Sequence, residues 1–229
     1  MTLATSLLSR RALQVAGRVI ALGFLLTGSA FGHSVWIEPL GEQLVLRFAE
    51  PGGRLEKSPG HLDSLTAPIA FQLVTNTPVP REALKSTNHF RLVGTDATRV
   101  VGAETGFPVL GGAGKPGRRP LFHARWQPDL GSAATPMLTL DLVPTGRAGE
   151  VRVYFRGEPL PGIKAMLRTP GDEERELTAD SDGLLRLSTT ESGVHLLTIA
   201  HHREKVRGFH GGRDHELLSH NASLAWRAP

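Results

Sequence analysis

From residue 33 onward the apolar positions fall in short runs that alternate with polar ones, and clusters of Gly, Pro, Asn and Asp separate the runs. Period-two alternation is what a strand with one buried face requires, because successive side chains point to opposite faces. The pattern predicts strands at 43–49, 68–74, 90–93, 121–126 and 137–143. A second series follows at 151–155, 163–168, 174–178, 184–188 and 194–200. No helical periodicity of useful length lies between them, so the expected fold class is all-β, built as β-sandwiches. The turn-rich segment 144–149 reads as a hinge, which gives two domains in tandem, 33–146 and 150–229.

The first 32 residues have a different character. Arg10, Arg11 and Arg18 form a positive start, 19–31 is mostly apolar, and Ala30-Phe31-Gly32 places small residues where a signal peptidase needs them. The apolar run is too short for a spanning helix, which needs about 20 residues. The segment reads as a signal peptide cleaved after Gly32, with no membrane span in the mature chain and a periplasmic destination. The paired arginines fit either the general secretory route or the twin-arginine route.

Removing that segment takes three arginines from 26 basic residues and none of the 22 acidic ones. The remainder is almost neutral, so the basic character of the whole chain gives no reason to expect nucleic acid as a partner. There is no cysteine, which excludes disulfides, thiolate catalysis and sulfur-ligated metal sites. The Gly- and Pro-rich stretch 111–120 lacks the Ser or Thr after lysine that a phosphate-binding loop needs, and reads as a surface loop. Asp180-Ser181-Asp182-Gly183 lacks the distal ligands of a calcium loop and reads as a hairpin turn. Neither a Gly-x-Ser-x-Gly nor a His-Glu-x-x-His motif is present, so no catalytic residue is assigned.

The chemistry that remains is that of histidine. Cleavage after Gly32 would make His33 the amino terminus, where an α-amine and an imidazole can both bind one ion. Nitrogen sites of this kind suit Cu(II) and Ni(II), with zinc where the geometry is tetrahedral. Further donors are concentrated near the carboxyl end, at His195, His201, His202, His210, His215 and His220. Strict alternation puts His195 and His201 on one strand face and His202 on the other. Residues 203–219 repeat histidine every five positions, which fits neither a strand nor a helix face, and read as a flexible loop able to close over an ion. Asp214 and Glu216 beside His215 could supply oxygen ligands or orient its ring. His61, His89 and His123 are isolated in sequence and read as ordinary surface or buried histidines.

Several segments together resemble the DUF4198 family of exported bacterial β-sandwich proteins. They are His33-Ser34-Val35-Trp36-Ile37-Glu38-Pro39, 157–165, 178–183, 192–197 and Ala222-Ser223-Leu224-Ala225-Trp226. Residues 50–140 match that pattern poorly. The second half also resembles transthyretin-like and carboxypeptidase-regulatory-like modules, which implies two Ig-like or transthyretin-like sandwiches and little about function. The family is described as a periplasmic component of nickel or cobalt uptake. The resemblance therefore implies a divalent-metal-binding protein that hands its ion to an inner-membrane transporter, with His33, Glu38 and His201 as ligands. His202, His210 and His215 complete the expected set. Two alternatives stay open: an oxidoreductase built on a copper brace at His33, and a plain extracellular structural or binding module.

Overall fold

The computed structural model describes residues 32–229 apart from 76, 96–97, 112–114 and 189–190. The expected signal peptide lies outside the described residues, except for Gly32 at its end. The described chain is all-β, as the alternation predicts, and its one helical turn is a 3-10 segment at His61–Ser64.

Sixteen strands follow one another among the described residues. The first eight are β1 (Ser34–Leu40), β2 (Gln43–Ala49), β3 (Pro68–Val74), β4 (Thr77–Arg81), β5 (Ala83–Lys85), β6 (Phe90–Leu92), β7 (Val100–Glu104) and β8 (Arg118–Gln127). The rest are β9 (Leu140–Pro144), β10 (Glu150–Phe155), β11 (Glu158–Pro159), β12 (Lys164–Arg168), β13 (Glu174–Thr178), β14 (Leu184–Arg186), β15 (Gly193–His210) and β16 (Arg213–Ala228).

They form three sheets. A central sheet of eight strands runs β13-β12-β15-β16-β8-β7-β3-β4, and only its β16–β8 pair is parallel. One outer sheet has the order β1-β2-β6-β5, and in the other β10 pairs with β9, β11 and β14. Neighbouring residues of the central strands show how the layers stack. Ala225 and Leu196 join the core under the β1 sheet, while Leu224, Trp226, Leu197 and Ile199 join the core under the β10 sheet. Because adjacent residues of a strand face opposite ways, the outer sheets cover opposite faces of the central one.

This arrangement corrects the expected hinge. Segment 144–149 is the turn of a hairpin, because β9 and β10 pair across it from Pro144↔Val151 to Leu140↔Phe155. Strands from both halves of the chain share the central sheet, and the described residues pack as one compact unit. The Asp180–Gly183 segment is a turn, with Asp180 Oδ1 accepting the amides of Asp182 and Leu184. It joins β13 to β14 in different sheets, so it closes no hairpin.

The expected loop at 203–219 is likewise strand. β15 and β16 form one long hairpin, and Gly211 and Gly212 make its two-residue turn with positive φ at both positions. Two register shifts, between Ile199 and His202 and between Lys205 and Gly208, break the period-two pattern that would have identified the strand. At the second shift the buried His215 ring lies against Gly208, where any Cβ would stand 2.8 Å from its Nε2.

Candidate metal centre

His33 is the residue immediately before β1, and two contacts fix where β1 lies. Its backbone pairs along all of β2, from Ser34↔Ala49 to Leu40↔Gln43, and the Val35 carbonyl accepts the buried Ser223 hydroxyl of β16 at 2.7 Å. The His33 ring then rests on Phe48 of β2, with ring centres 5.0 Å apart. Phe48, Phe107 and Phe122 pack edge to face beneath it and form an apolar floor.

After β2 the chain folds back over the same floor. The Glu56 amide bonds the Phe48 carbonyl at 3.0 Å, and the 3-10 turn is pinned by Leu62 and Leu65, both fully buried in the core. Asp63 holds the entry to that turn by accepting the Gly60 amide, the Ser58 hydroxyl and the Lys85 ammonium. Lys85 above all, then Gly60 and Ser58, pull its carboxyl down to about 2. His61 is thereby set edge-on to His33, with ring centres 4.7 Å apart.

These contacts bring His33, Glu56 and His61 into one group whose ligating atoms all lie within 4.8 Å of one another. Glu56 Oε1 is 2.5 Å from His33 Nε2 and 3.4 Å from His61 Nδ1. The His33 hydrogen bond is the main reason the Glu56 carboxyl sits below its ordinary range; His61 adds to the effect and burial opposes it. All three side chains keep partial exposure, 27% for His33, 26% for Glu56 and 45% for His61, so an ion can reach them. Two imidazoles and one carboxylate are a ligand set for a first-row divalent ion, which binds such groups at about 2.0–2.2 Å.

His33 and His61 also line a cleft of about 210 Å³. Arg118, His201 and Asn221 line it as well, so His33 and His201 reach one cleft from opposite ends of the chain. A bulge is what aims His201 there. Ile199 pairs with Ala222 and His202 with His220, leaving Ala200 and His201 opposite Asn221 alone. His201 takes a φ of 59°, and its amide donates to Asn221 Oδ1 at 3.0 Å. The extra residue inverts the expected faces. His195 stacks on Trp226 under the β10 sheet, His201 turns toward the β1 side, and His202 returns to the β10 side.

His201 is poorly set up as a metal ligand. Its Nδ1 lies 3.0 Å from the Arg118 guanidinium, which can only donate, and 3.3 Å from the Ser219 hydroxyl. Burial first, then Arg118 and Arg203, favour the neutral ring. Nδ1 therefore accepts and the proton stays on Nε2, which leaves the neutral ring no free lone pair for an ion.

The other expected ligands lie elsewhere. Glu38 is five residues along β1 from His33, about 16 Å in an extended strand. Its two oxygens accept Trp36 Nε1 and Arg47 Nε, both at 2.8 Å, so it is a structural anchor. His202 packs on Phe155 across the central sheet from the cleft. His210 ends β15 next to the hairpin turn, and the buried His215 bonds the Val206 carbonyl through Nδ1. Neither approaches the His33 group, because the segment expected to fold over an ion is extended in a hairpin.

The residues that sequence reasoning passed over are Glu56 and His61. Their interval of five matches no regular element, and the one available signal was that both fall in a Gly- and Pro-rich connection leading out of β2. A second histidine cluster, on the opposite face of the central sheet, has another character. Glu204 Oε2 lies 2.8 Å from His220 Nε2, and His220 Nδ1 lies 3.4 Å from His123 Nε2. Burial, reinforced by His220, takes His123 down to about 4. His123 and His220 are buried, His220 against Phe155, and read as interior packing, while Glu204 at the end of the row is half-buried.

No family model and no curated protein matches this chain.

Proposed function

We propose that this chain is an exported protein that binds a divalent transition metal at His33, Glu56 and His61. The observation that carries the reading is the convergence of those three side chains from a strand start, a connection and a 3-10 turn over one aromatic floor. A histidine pair with one carboxylate and an adjoining cleft leaves coordination positions open, as suits an ion taken up and passed on. The resemblance of both chain ends to the DUF4198 family extends the reading to periplasmic nickel or cobalt uptake, with an inner-membrane transporter as recipient. Among the described residues no helix is long and apolar enough to cross a membrane.

The test is calorimetric titration with Ni(II), Co(II), Cu(II) and Zn(II) of the wild type, His61→Ala and Glu56→Gln. The wild type is expected to bind one ion at least tenfold more tightly than either variant. Equal affinity in all three would refute the site. Titrating His201→Gln in parallel separates this site from a copper brace, in which that change would abolish Cu(II) binding.

A further inference from the structure

The cleft that His33 and His61 line also carries a positive charge, that of Arg118. Arg118 spends Nη1 on His201 Nδ1 and on the Ser219 hydroxyl at 3.2 Å, and among the described residues no carboxylate pairs with it. Arg203 stands close enough to act electrostatically on both Arg118 and His201. A divalent ion held by one carboxylate and two neutral imidazoles would keep a net positive charge. The Arg118 guanidinium adds to it inside the cleft and Arg203 adds to it from outside the lining, and such an excess attracts an anion. Asn221 cannot serve as its partner, because Oδ1 takes the His201 amide and Nδ2 is given to the Leu121 and Ser219 carbonyls.

The remaining lining decides the class of anion. Phe107, Leu110, Pro120 and Phe122 give the cleft an apolar flank beside its single available guanidinium. A sulfate or phosphate would lose hydration against that flank without enough donors to replace it. A short organic acid can place its hydrocarbon there, one oxygen on Arg118 and the other on the ion, since guanidinium and carboxylate match geometrically.

Resting on the metal reading above, we infer that this cleft binds a small organic carboxylate as co-ligand of the metal, seated between the His33–Glu56–His61 group and Arg118. The Arg118–His201–Ser219 contacts then have a function, since they hold the guanidinium in one orientation toward the ion. The bulge at His201 is the backbone feature that supplies this support.

The experiment uses Co(II) as a visible probe of its own coordination. Co(II) is first titrated without added acid, then the loaded protein receives propionate, propionamide or inorganic phosphate. Propionate is expected to change the Co(II) absorption saturably, with propionamide silent and phosphate at least tenfold weaker. Arg118→Gln is expected to keep Co(II) affinity within a factor of three and to weaken propionate at least tenfold; retained Co(II) binding reports that it has folded. His201→Gln, which loosens the guanidinium, is expected to weaken propionate severalfold.

Co(II) binding with no propionate response in the wild type overturns the co-ligand and leaves the metal site standing. Absence of Co(II) binding overturns both. A phosphate response equal to that of propionate overturns the carboxylate class, and an unchanged propionate affinity in both variants overturns the assigned seat.

Discussion

At the scale of single residues, the ten histidines divide by environment. His33 and His61 stay partly open to solvent around one carboxylate, whereas His123, His195, His215 and His220 are buried. Burial disfavours the charged ring, so His123 titrates at about 4 when folded and near its ordinary 6.5 when unfolded. Between those values the unfolded chain holds the extra proton, so stability falls as the pH drops from 6.5 to 4 and the effect levels off below 4. His195, His202 and His220 are shifted the same way, burial being the largest cause for each. His123→Gln is expected to flatten the dependence of unfolding free energy on pH in that window. The change is about 1.4 kcal/mol per pH unit where one proton is fully linked, measured by urea denaturation at pH 4, 5, 6 and 7. An unchanged slope would mean that the buried ring does not carry the linkage.

At the scale of elements, the bulge in β15 is decisive. It costs a ladder position and puts a non-glycine residue at positive φ, and Asn221 compensates with three hydrogen bonds to the surrounding backbone. Asn221→Ala leaves the His201 amide and two carbonyls without that partner. A loss of about 1–3 kcal/mol in unfolding free energy is expected, with weaker propionate binding to the Co(II)-loaded protein; unaltered stability would show that the bulge holds itself. The strands themselves were mostly legible. Strands β2 and β3 occur where alternation placed them, and 90–93, 121–126 and 137–143 each overlap an observed strand. The outer part of the β15–β16 hairpin was not legible, because both of its faces are largely exposed and two bulges reset the period.

At the scale of the whole molecule, one buried ion pair links two layers. Arg125 of β8 and Asp141 of β9 are both fully buried and joined by two hydrogen bonds, and Asp141 Oδ2 also accepts the amides of Met137 and Leu138. Asp141→Asn would leave the guanidinium buried without a counter-charge, at an expected cost of about 3–5 kcal/mol; thermal and urea unfolding would measure it, and a cost below 1 kcal/mol would show that solvent or rearrangement compensates. An ion bound only by the folded state should act in the opposite direction. A hundredfold excess over its dissociation constant adds about 2.7 kcal/mol, and the gain should vanish on chelation and in His61→Ala.

The all-β class is a local property, set by alternating side chains and turn residues, and the sequence determined it unaided. His33 was also legible as a candidate ligand, and it does fall in the group that could hold an ion. Which groups surround His33 was not a local property. Glu56 and His61 lie 23 and 28 positions away in a connection without period, and they reach His33 because Leu62, Leu65 and Phe48 bury themselves in the same core. His201 is 168 positions away, and a single extra residue in its strand determines which face it takes. Strand periodicity predicts a face only while the register is unbroken, and a bulge is fixed by the partner strand. The tertiary structure alone therefore selected, from ten histidines, the pair that flanks Glu56.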